Sequence, residues 1–298
     1  MSERSDARVP LSVLIPVKNE AANLGGCLAS VSFAEQVVVV DSASADGTQA
    51  ITEAAGAQIA QFVWNGKFPR KKNWALENIR WQHDWVLIMD ADERITPELQ
   101  REITHAIRRS DVEGFYLNRR FWFLDGWIKH CGYFPSWNLR LFRHRLGRYE
   151  QIEIGDNIAA GDNEVHEHVL LNGHAEYLTA PMEHYAFPDI ATFIEKHNRY
   201  STWEAAACVK LHEQAGTRTL RPTPFGTAVE RKRWLKRLAM KAPFRSSLRF
   251  LYHYLWKQGF RDGYRGWVLC RLLAWYERMI VLKERELKNR RSNSTAIS

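Results

Sequence analysis

The chain has 298 residues, 45% of them hydrophobic and 26% charged, with 17 Gly and 10 Pro. That composition supplies a substantial core and excludes a disordered or fibrous protein. Charge is uneven: from Arg231 onward 18 Lys/Arg stand against 4 Asp/Glu, a net of +14, while the first 230 residues hold 24 and 30, a net of −6. The four cysteines, Cys27, Cys131, Cys208 and Cys270, form no C-x-x-C pair, which argues against a disulfide framework or zinc site and for a reducing compartment.

In chain order, the opening MSERSDARVP is polar and has no apolar stretch of signal-peptide type. LSVLI at 11–15 predicts a buried strand ending at Pro16. Leu24, Cys27, Leu28 and Val31 recur at helical spacing. Val37–Val40 reads as a second strand, closed by Asp41 and the turn SASADGT, and a helix through Ala50, Ile51 and Ala54 leads to a third strand near Ile59–Trp64. After a basic loop and another helical stretch, Trp85–Met89 reads as a buried strand ending in Asp90-Ala91-Asp92. Thr96-Pro97-Glu98 then predicts a helix start, with an N-cap Thr, Pro at the first position and an acid in the first turn.

Alternation of strand and helix over these residues predicts a parallel α/β sheet, in which ligands bind outside the carboxyl ends of the strands. Beyond about residue 112, short aromatic-rich segments (Phe115–Leu117, Phe121–Trp127, Leu139–Phe142) read as hairpins or loops. Helical spacing returns from about Asp189 and dominates the tail from Arg231. No internal repeat and no run of 18 apolar residues occurs, so no membrane-spanning helix is expected.

Three strand ends carry the chemistry. Two carboxylates one residue apart, Asp90 and Asp92, can approach one hard divalent cation, which would stabilise a departing nucleoside diphosphate; the plain alternative is a solvated turn with helix-capping acids. Asp41 can accept hydrogen bonds from a base or ribose, or can simply organise an Asx-type turn with Asp46. Asn19-Glu20 opens the first helix, where ordinary capping is the alternative. Arg70-Lys71-Lys72 places three cations at a helix start against the macrodipole, a conflict that an anion would relieve. Neither G-x-x-x-x-G-K-S/T nor G-x-G-x-x-G is present, which disfavours P-loop ATPases and dinucleotide enzymes.

Taken together, LSVLIPVKNEAANL, VVVVDSASADGT, RKKNWAL, WVLIMDADERI, NLRLFR and VHEHV resemble the family-2 inverting glycosyltransferases of the GT-A fold, over roughly residues 11–170. The local wording is most similar to the lipopolysaccharide-core β-glucosyltransferases. The resemblance implies an α/β, Rossmann-like nucleotide-sugar-binding sheet with a helical, basic and aromatic C-terminal extension. The expected division is a catalytic domain at 1–230, with its nucleotide half at about 9–112 and its acceptor half at about 113–230, followed by a basic amphipathic region at 231–298.

It further implies that Pro16, Asn19, Glu20 and Asp41 line the nucleoside pocket and that Arg70 and Lys71 face the diphosphate. Asp90 and Asp92 match the metal motif for Mg²⁺ or Mn²⁺, with Asp92 as the more direct ligand and Asp90 also among the donor contacts. An inverting transfer needs a base to deprotonate the acceptor hydroxyl, and Glu167 in Val165-His166-Glu167-His168-Val169 matches the family's His-Glu segment. A zinc site or a plain surface turn are the other readings of that segment, and Asp156, Glu164 and Glu183 are further candidate bases. Arg140 and Arg143 match an Arg-Leu-Phe-Arg element and are read as acceptor contacts or sheet-edge structure.

The expected reaction moves a hexose, glucose from UDP-glucose, to a lipopolysaccharide-core or other lipid-linked acceptor; a polyprenyl-phosphate or capsule-type acceptor is the alternative. The tail interleaves arginines with aromatic rings, which suits an anionic membrane surface. Packing back onto the catalytic domain is the second reading, and nucleic-acid binding by a protein with a vestigial nucleotide fold the weakest. The expected location is therefore the cytoplasm, peripheral on the inner face of the cytoplasmic membrane.

Overall fold

The computed structural model describes residues 8–151, 168–213 and 244–295. These divide into two compact units, 1–127 with 133–186, and 128–132 with 187–298. The expected boundary near 230 lies outside the described residues.

The first unit begins with β1 (Val9–Val17), α1 (Ala21–Ser30), β2 (Ala34–Asp41), α2 (Thr48–Ala54) and β3 (Gln58–Gln61). It continues through α3 (Lys71–Asn78), β4 (Trp85–Ile88), β5 (Glu93–Arg94) and α4 (Pro97–Ala106). Then follow β6 (Gly114–Phe123), β7 (Gly126–Trp127), β8 (Trp137–Arg143), β9 (Gly147–Tyr149), β10 (Val169–Leu171) and β11 (Ala175–His184).

The main sheet runs β3-β2-β1-β4-β8-β6-β11-β5. The strands β3, β2, β1 and β4 are mutually parallel, and β8 enters antiparallel between β4 and β6. This is the expected α/β arrangement. Of the aromatic segments expected as hairpins or loops, Phe121–Trp127 is a hairpin, with Trp122 and Phe123 paired antiparallel to Trp127 and Gly126, while Phe115–Leu117 and Leu139–Phe142 lie in the antiparallel pair β6–β8 of the main sheet. Along β6, Phe115, Leu117, Phe121 and Phe123 alternate toward the interior, while the polar or basic Asn118–Arg120 interrupt the apolar run.

The central strand is apolar because both its faces are covered. Leu11, Val13 and Ile15 pack with Leu24 and Leu28 of α1 and with Leu99 and Ile103 of α4. Leu14, pointing the other way, packs with Val38, Val40, Ile88 and with Ala75 and Leu76 of α3. The cap read from the sequence is present: the Thr96 hydroxyl accepts from Leu99 N–H at 3.2 Å, with Pro97 opening α4.

The second unit holds α5 (Ile190–Glu213), α6 (Arg245–Leu251), a π-helical turn at Tyr252–Trp256, a 3₁₀ turn at Gly259–Asp262, and α7 (Gly263–Thr295). Ala205 and Cys208 of α5 pack on Tyr276 and Ile280 of α7. Arg245 and Arg249 of α6 pair with Glu277 of α7 at 2.6 Å, and Arg245 also meets Glu284. Residues 128–132 join this unit because Asp262 accepts from Lys129 N–H and His130 N–H and pairs with the His130 ring. The Cys131 and Cys270 sulfurs lie 3.7 Å apart as buried free thiols, a contact that their sequence spacing conceals.

Candidate active site

The loops after β1 and β2 are laced together. Asn19 takes a left-handed backbone (φ 54°), which Asn tolerates better than most residues. Its N–H donates to Ser44 Oγ and its Oδ1 accepts from Ala45 N–H, each at 2.8 Å. Glu20 N–H donates to Thr48 Oγ1, and the Glu20 carboxylate accepts from Asn23 Nδ2 at 2.9 Å. The orphan N–H of Ala21 at the start of α1 is taken by Asp46 rather than by Glu20. Pro16 is half-buried in register with Val40.

Asp41 is fully buried. It accepts from Ser44 N–H and Oγ, from Gln49 Nε2 at 3.0 Å and from Gln61 Nε2 at 3.3 Å. Burial works against its charge, but the hydrogen bonds from Ser44, Gln49 and Gln61 outweigh it and hold the carboxyl below its usual range. Asp41 thus organises the turn after β2, drawing on Ser44 in that turn, Gln49 of α2 and Gln61 of β3.

At the start of α3, Arg70 is the N-cap residue and is buried beside Phe68, its guanidinium 5.3 Å from the ring centre. Lys71 is also buried and its Nζ donates to Val17 O at the end of β1, at 2.9 Å. Lys72 reaches Asp90 Oδ1 at 3.5 Å and lies over the Tyr149 ring. The dipole conflict of three cations at a helix start is relieved for two of them inside the protein, by a carbonyl and a carboxylate. Asn73 ties β9 to α3 by exchanging two 2.8 Å bonds with the Tyr149 backbone.

The turn after β4 separates the roles of its two aspartates. Asp90 Oδ2 lies 2.5 Å from Arg140 Nη2, and its N–H donates to Glu93 Oε2 at 2.9 Å. Glu93, fully buried, takes Arg140 at 2.9 Å and Arg119 at 3.5 Å on its other oxygen. Burial opposes the charge on Asp90, but Arg140 and then Lys72 hold its carboxyl well below the usual carboxylate range. Asp90 is therefore an anion paired with two protein cations, Arg140 and Lys72.

Asp92 is different. Its Oδ1 is buried and has no hydrogen-bond partner among the described residues, an arrangement that is costly unless something else satisfies it. His184 Nε2 faces it at 3.7 Å. The strand β5 sets this approach, because Glu93 pairs in register with His184 and Asp92 O accepts from Tyr185 N–H at 2.8 Å. Burial pushes His184 below its ordinary value, and the Asp92 charge offsets this only in part, so the ring is neutral and has a lone pair to offer.

No three His, Cys, Asp or Glu side chains converge to hold an ion among the described residues. Two protein donors fit a cation that completes its shell with water and substrate phosphates, as Mg²⁺ sites commonly do. An orphaned carboxylate oxygen facing an imidazole therefore fits the expected metal at Asp92.

Arg140 and Arg143 part company. Arg140 lies in the cluster just described and is buried, so its contacts are with acids of the protein rather than with an acceptor. Arg143, three residues on in a strand antiparallel to β4, sits at the opposite end of the sheet. It donates to Arg109 O and lies over the Trp85 ring. These contacts match the second of its two readings, sheet-edge structure. Glu183, one of the candidate bases, binds Arg120 at 2.9 Å and the Trp122 indole, an ion-paired setting that suits anchoring better than proton abstraction. Glu167, Asp156 and Glu164 lie outside the described residues.

Lys72, Glu93 and His184 also belong to the site. Lys72 was visible in the cation triplet, and Glu93 adjoins the aspartate pair, but His184 carried no sequence signal. It comes 92 positions after Asp92, and only the β5–β11 pairing brings the two together.

Comparison with known proteins identifies the family. Residues 12–161 match glycosyl transferase family 2. A lipopolysaccharide core biosynthesis glycosyltransferase, LpsC of Rhizobium meliloti (strain 1021), is 31% identical over 210 residues, covering 66% of this chain and 71% of that protein. An uncharacterized glycosyltransferase of Rickettsia felis is 30% identical over 214 residues, 67% of this chain and 70% of its own. Among solved structures, a mannosyltransferase from Pyrobaculum calidifontis in complex with GDP-Man and Mn²⁺ is 14% identical, with a TM-score of 0.44 over 93% of this chain and 87% of its own. The chain belongs to glycosyl transferase family 2 and is a nucleotide-sugar-dependent glycosyltransferase.

Proposed function

We propose that this enzyme is an inverting hexosyltransferase that moves glucose from UDP-glucose to a lipopolysaccharide-core or other lipid-linked acceptor. The observation that carries the reading is the orphaned Asp92 oxygen facing neutral His184 at the carboxyl ends of the sheet. The similarity to a lipopolysaccharide core biosynthesis glycosyltransferase supports the acceptor class.

Asp92 and His184 would hold the divalent cation, Mg²⁺ or Mn²⁺. When bound, that ion supplies positive charge to the diphosphate leaving group. Asp90, fixed by Arg140 and Lys72, keeps the turn that presents Asp92 rigid. Arg70 and Lys71 stand at the diphosphate end of the proposed donor pocket. Pro16, Asn19, Glu20 and Asp41 line its nucleoside end, with Asp41 near the base. Glu167 is the proposed base: it would take the proton of the acceptor hydroxyl as that oxygen attacks the anomeric carbon from the face opposite the departing UDP. The acceptor's lipid would lie in the anionic inner leaflet, with the basic C-terminal region holding the enzyme there.

Incubating the purified chain with UDP-glucose, UDP-galactose and GDP-mannose, with Mg²⁺, Mn²⁺ or EDTA, tests the donor and the metal together. Nucleotide release should be fastest with UDP-glucose and should stop in EDTA. Transfer to a core acceptor should give a β-linked product by NMR. Release that persists in EDTA, or an α-linked product, would overturn the reading.

A further inference from the structure

Among its described residues, the second unit carries an exposed apolar surface. Between Phe244 and Trp267, one side of the chain faces inward, where Arg245 and Arg249 are tied to Glu277 and Glu284. The His253 ring bonds Cys131 O at 2.8 Å, and Val268, Leu269 and Cys270 are buried. The other side is made of large apolar residues in water: Phe244 and Trp256 are 81% and 78% exposed, and Leu248, Leu255, Phe260 and Tyr264 are each about half exposed or more. A surface of this kind marks an interaction site.

Charge and chemistry identify the occupant. Residues 244–271 hold six Lys/Arg and one Asp. Arg261 and Arg271 are exposed and form no ion pair among the described residues. A second copy of this face would bring like charges together. Nucleic acid could stack on the rings but would gain nothing from Leu248 and Leu255. Aromatic rings beside leucines, flanked by arginines and with no helix among the described residues long and apolar enough to cross a membrane, match the interface of an anionic bilayer, where rings sit at headgroup depth.

We propose that this face, from Phe244 through Tyr264, inserts into the headgroup layer of an anionic lipid leaflet and docks the enzyme there. The inference rests on the reading that the acceptor is lipid-borne, and it changes the expected mode of binding. The tail's net charge of +14 suggests salt-sensitive adsorption, but Arg245 and Arg249 are spent on Glu277 and Glu284, and Lys283 donates to Asn198 and Ser201. Insertion of apolar side chains carries most of the binding, and the outward arginines select anionic lipid.

The test uses the full chain, with sedimentation on vesicles of phosphatidylcholine alone or containing phosphatidylglycerol. A Leu255→Ser/Trp256→Ser variant removes two exposed apolar side chains that support no core. Each is worth roughly tenfold or more in partitioning when buried, so the variant should bind anionic vesicles at least tenfold more weakly. Its melting temperature and its hydrolysis of UDP-glucose should be unchanged. Arg261→Gln should lessen the preference for phosphatidylglycerol, and raising salt should weaken wild-type binding only several-fold. A double variant that binds vesicles as well as wild type overturns the assignment of this face while the lipid-borne acceptor survives. Wild-type protein that ignores every vesicle overturns docking altogether. A concentration-dependent dimer abolished by the double substitution, or oligonucleotide binding abolished by it, would overturn lipid as the occupant. Loss of UDP-glucose hydrolysis by the wild type would count against the transferase reading separately.

Discussion

Replacing Arg140 by Met removes the cation that Asp90 and Glu93 share while keeping a long side chain in the space. Arg140 is 6% exposed and Glu93 fully buried. Glu93 would be left with Arg119 at 3.5 Å and Asp90 with Lys72 at 3.5 Å. Removing one partner of a buried pair costs about 3–5 kcal/mol, because the stranded charge has lost both water and counter-ion. The lower end applies here, since two weaker cationic contacts remain and the Asp90 side chain is 37% exposed. At about 3 kcal/mol, and with roughly 2–4 °C of Tm per kcal/mol for a unit of this size, the first unit should melt roughly 6–12 °C lower at pH 7.

The pH dependence has a definite sign. Asp90 titrates below its unfolded value of about 3.9, so its contribution is fully present above that pH and lost as pH falls through the folded value. The Arg140→Met deficit should therefore be largest at neutral pH and shrink below about pH 4. Adding Glu93→Gln to Arg140→Met should recover part of the loss, because it removes the stranded charge. Calorimetry across that pH range, on the single and double variants, measures all of this. A Tm equal to wild type at pH 7, or a deficit that stays constant into acid, would refute the account of the cluster.

Asp92→Asn is nearly isosteric and should abolish transfer and metal-dependent UDP binding while leaving the melting temperature close to wild type; surviving transfer would remove Asp92 from the site. Glu167→Gln should lower kcat by roughly 10²–10⁴, the usual range for loss of a general base, with UDP affinity measured by calorimetric titration unchanged. A near-normal kcat would move the role to Asp156 or Glu164. Asp41→Ala strands the donors of Ser44, Gln49 and Gln61, a loss of about 1–3 kcal/mol, and should weaken UDP binding. Full stability in urea denaturation with lost UDP affinity would leave a direct contact as its only role.

The nucleotide half was legible because its determinants are local. An apolar run buried on both faces reads as a central strand whatever surrounds it, which is why β1, β2 and β4 appear within a few residues of their observed ends. The Thr96-Pro97 start of α4 is likewise local chemistry, an N-cap hydroxyl beside a residue with no N–H to satisfy. The strands β6 and β8 were only partly readable, since arginines such as Arg119 and Arg140 break their apolar pattern. Those arginines are tolerated inside only because carboxylates from another strand meet them there.

The sequence by itself determined that Asp90 and Asp92 stand at a strand end beside a cation-rich helix start, because neighbours in the chain must be neighbours in space. It could not say which aspartate is satisfied by the protein and which is left open. That depends on Arg140 and His184, which are 50 residues from Asp90 and 92 from Asp92 and arrive through the β4–β8 and β5–β11 pairings. The charge of the tail was likewise a matter of counting, yet its use was not. Only the packing of α6 on α7 decides that Arg245 and Arg249 turn inward to Glu277 and Glu284 while Trp256 and Phe244 face water. A charge is defined by one residue, but its partner is chosen by the fold.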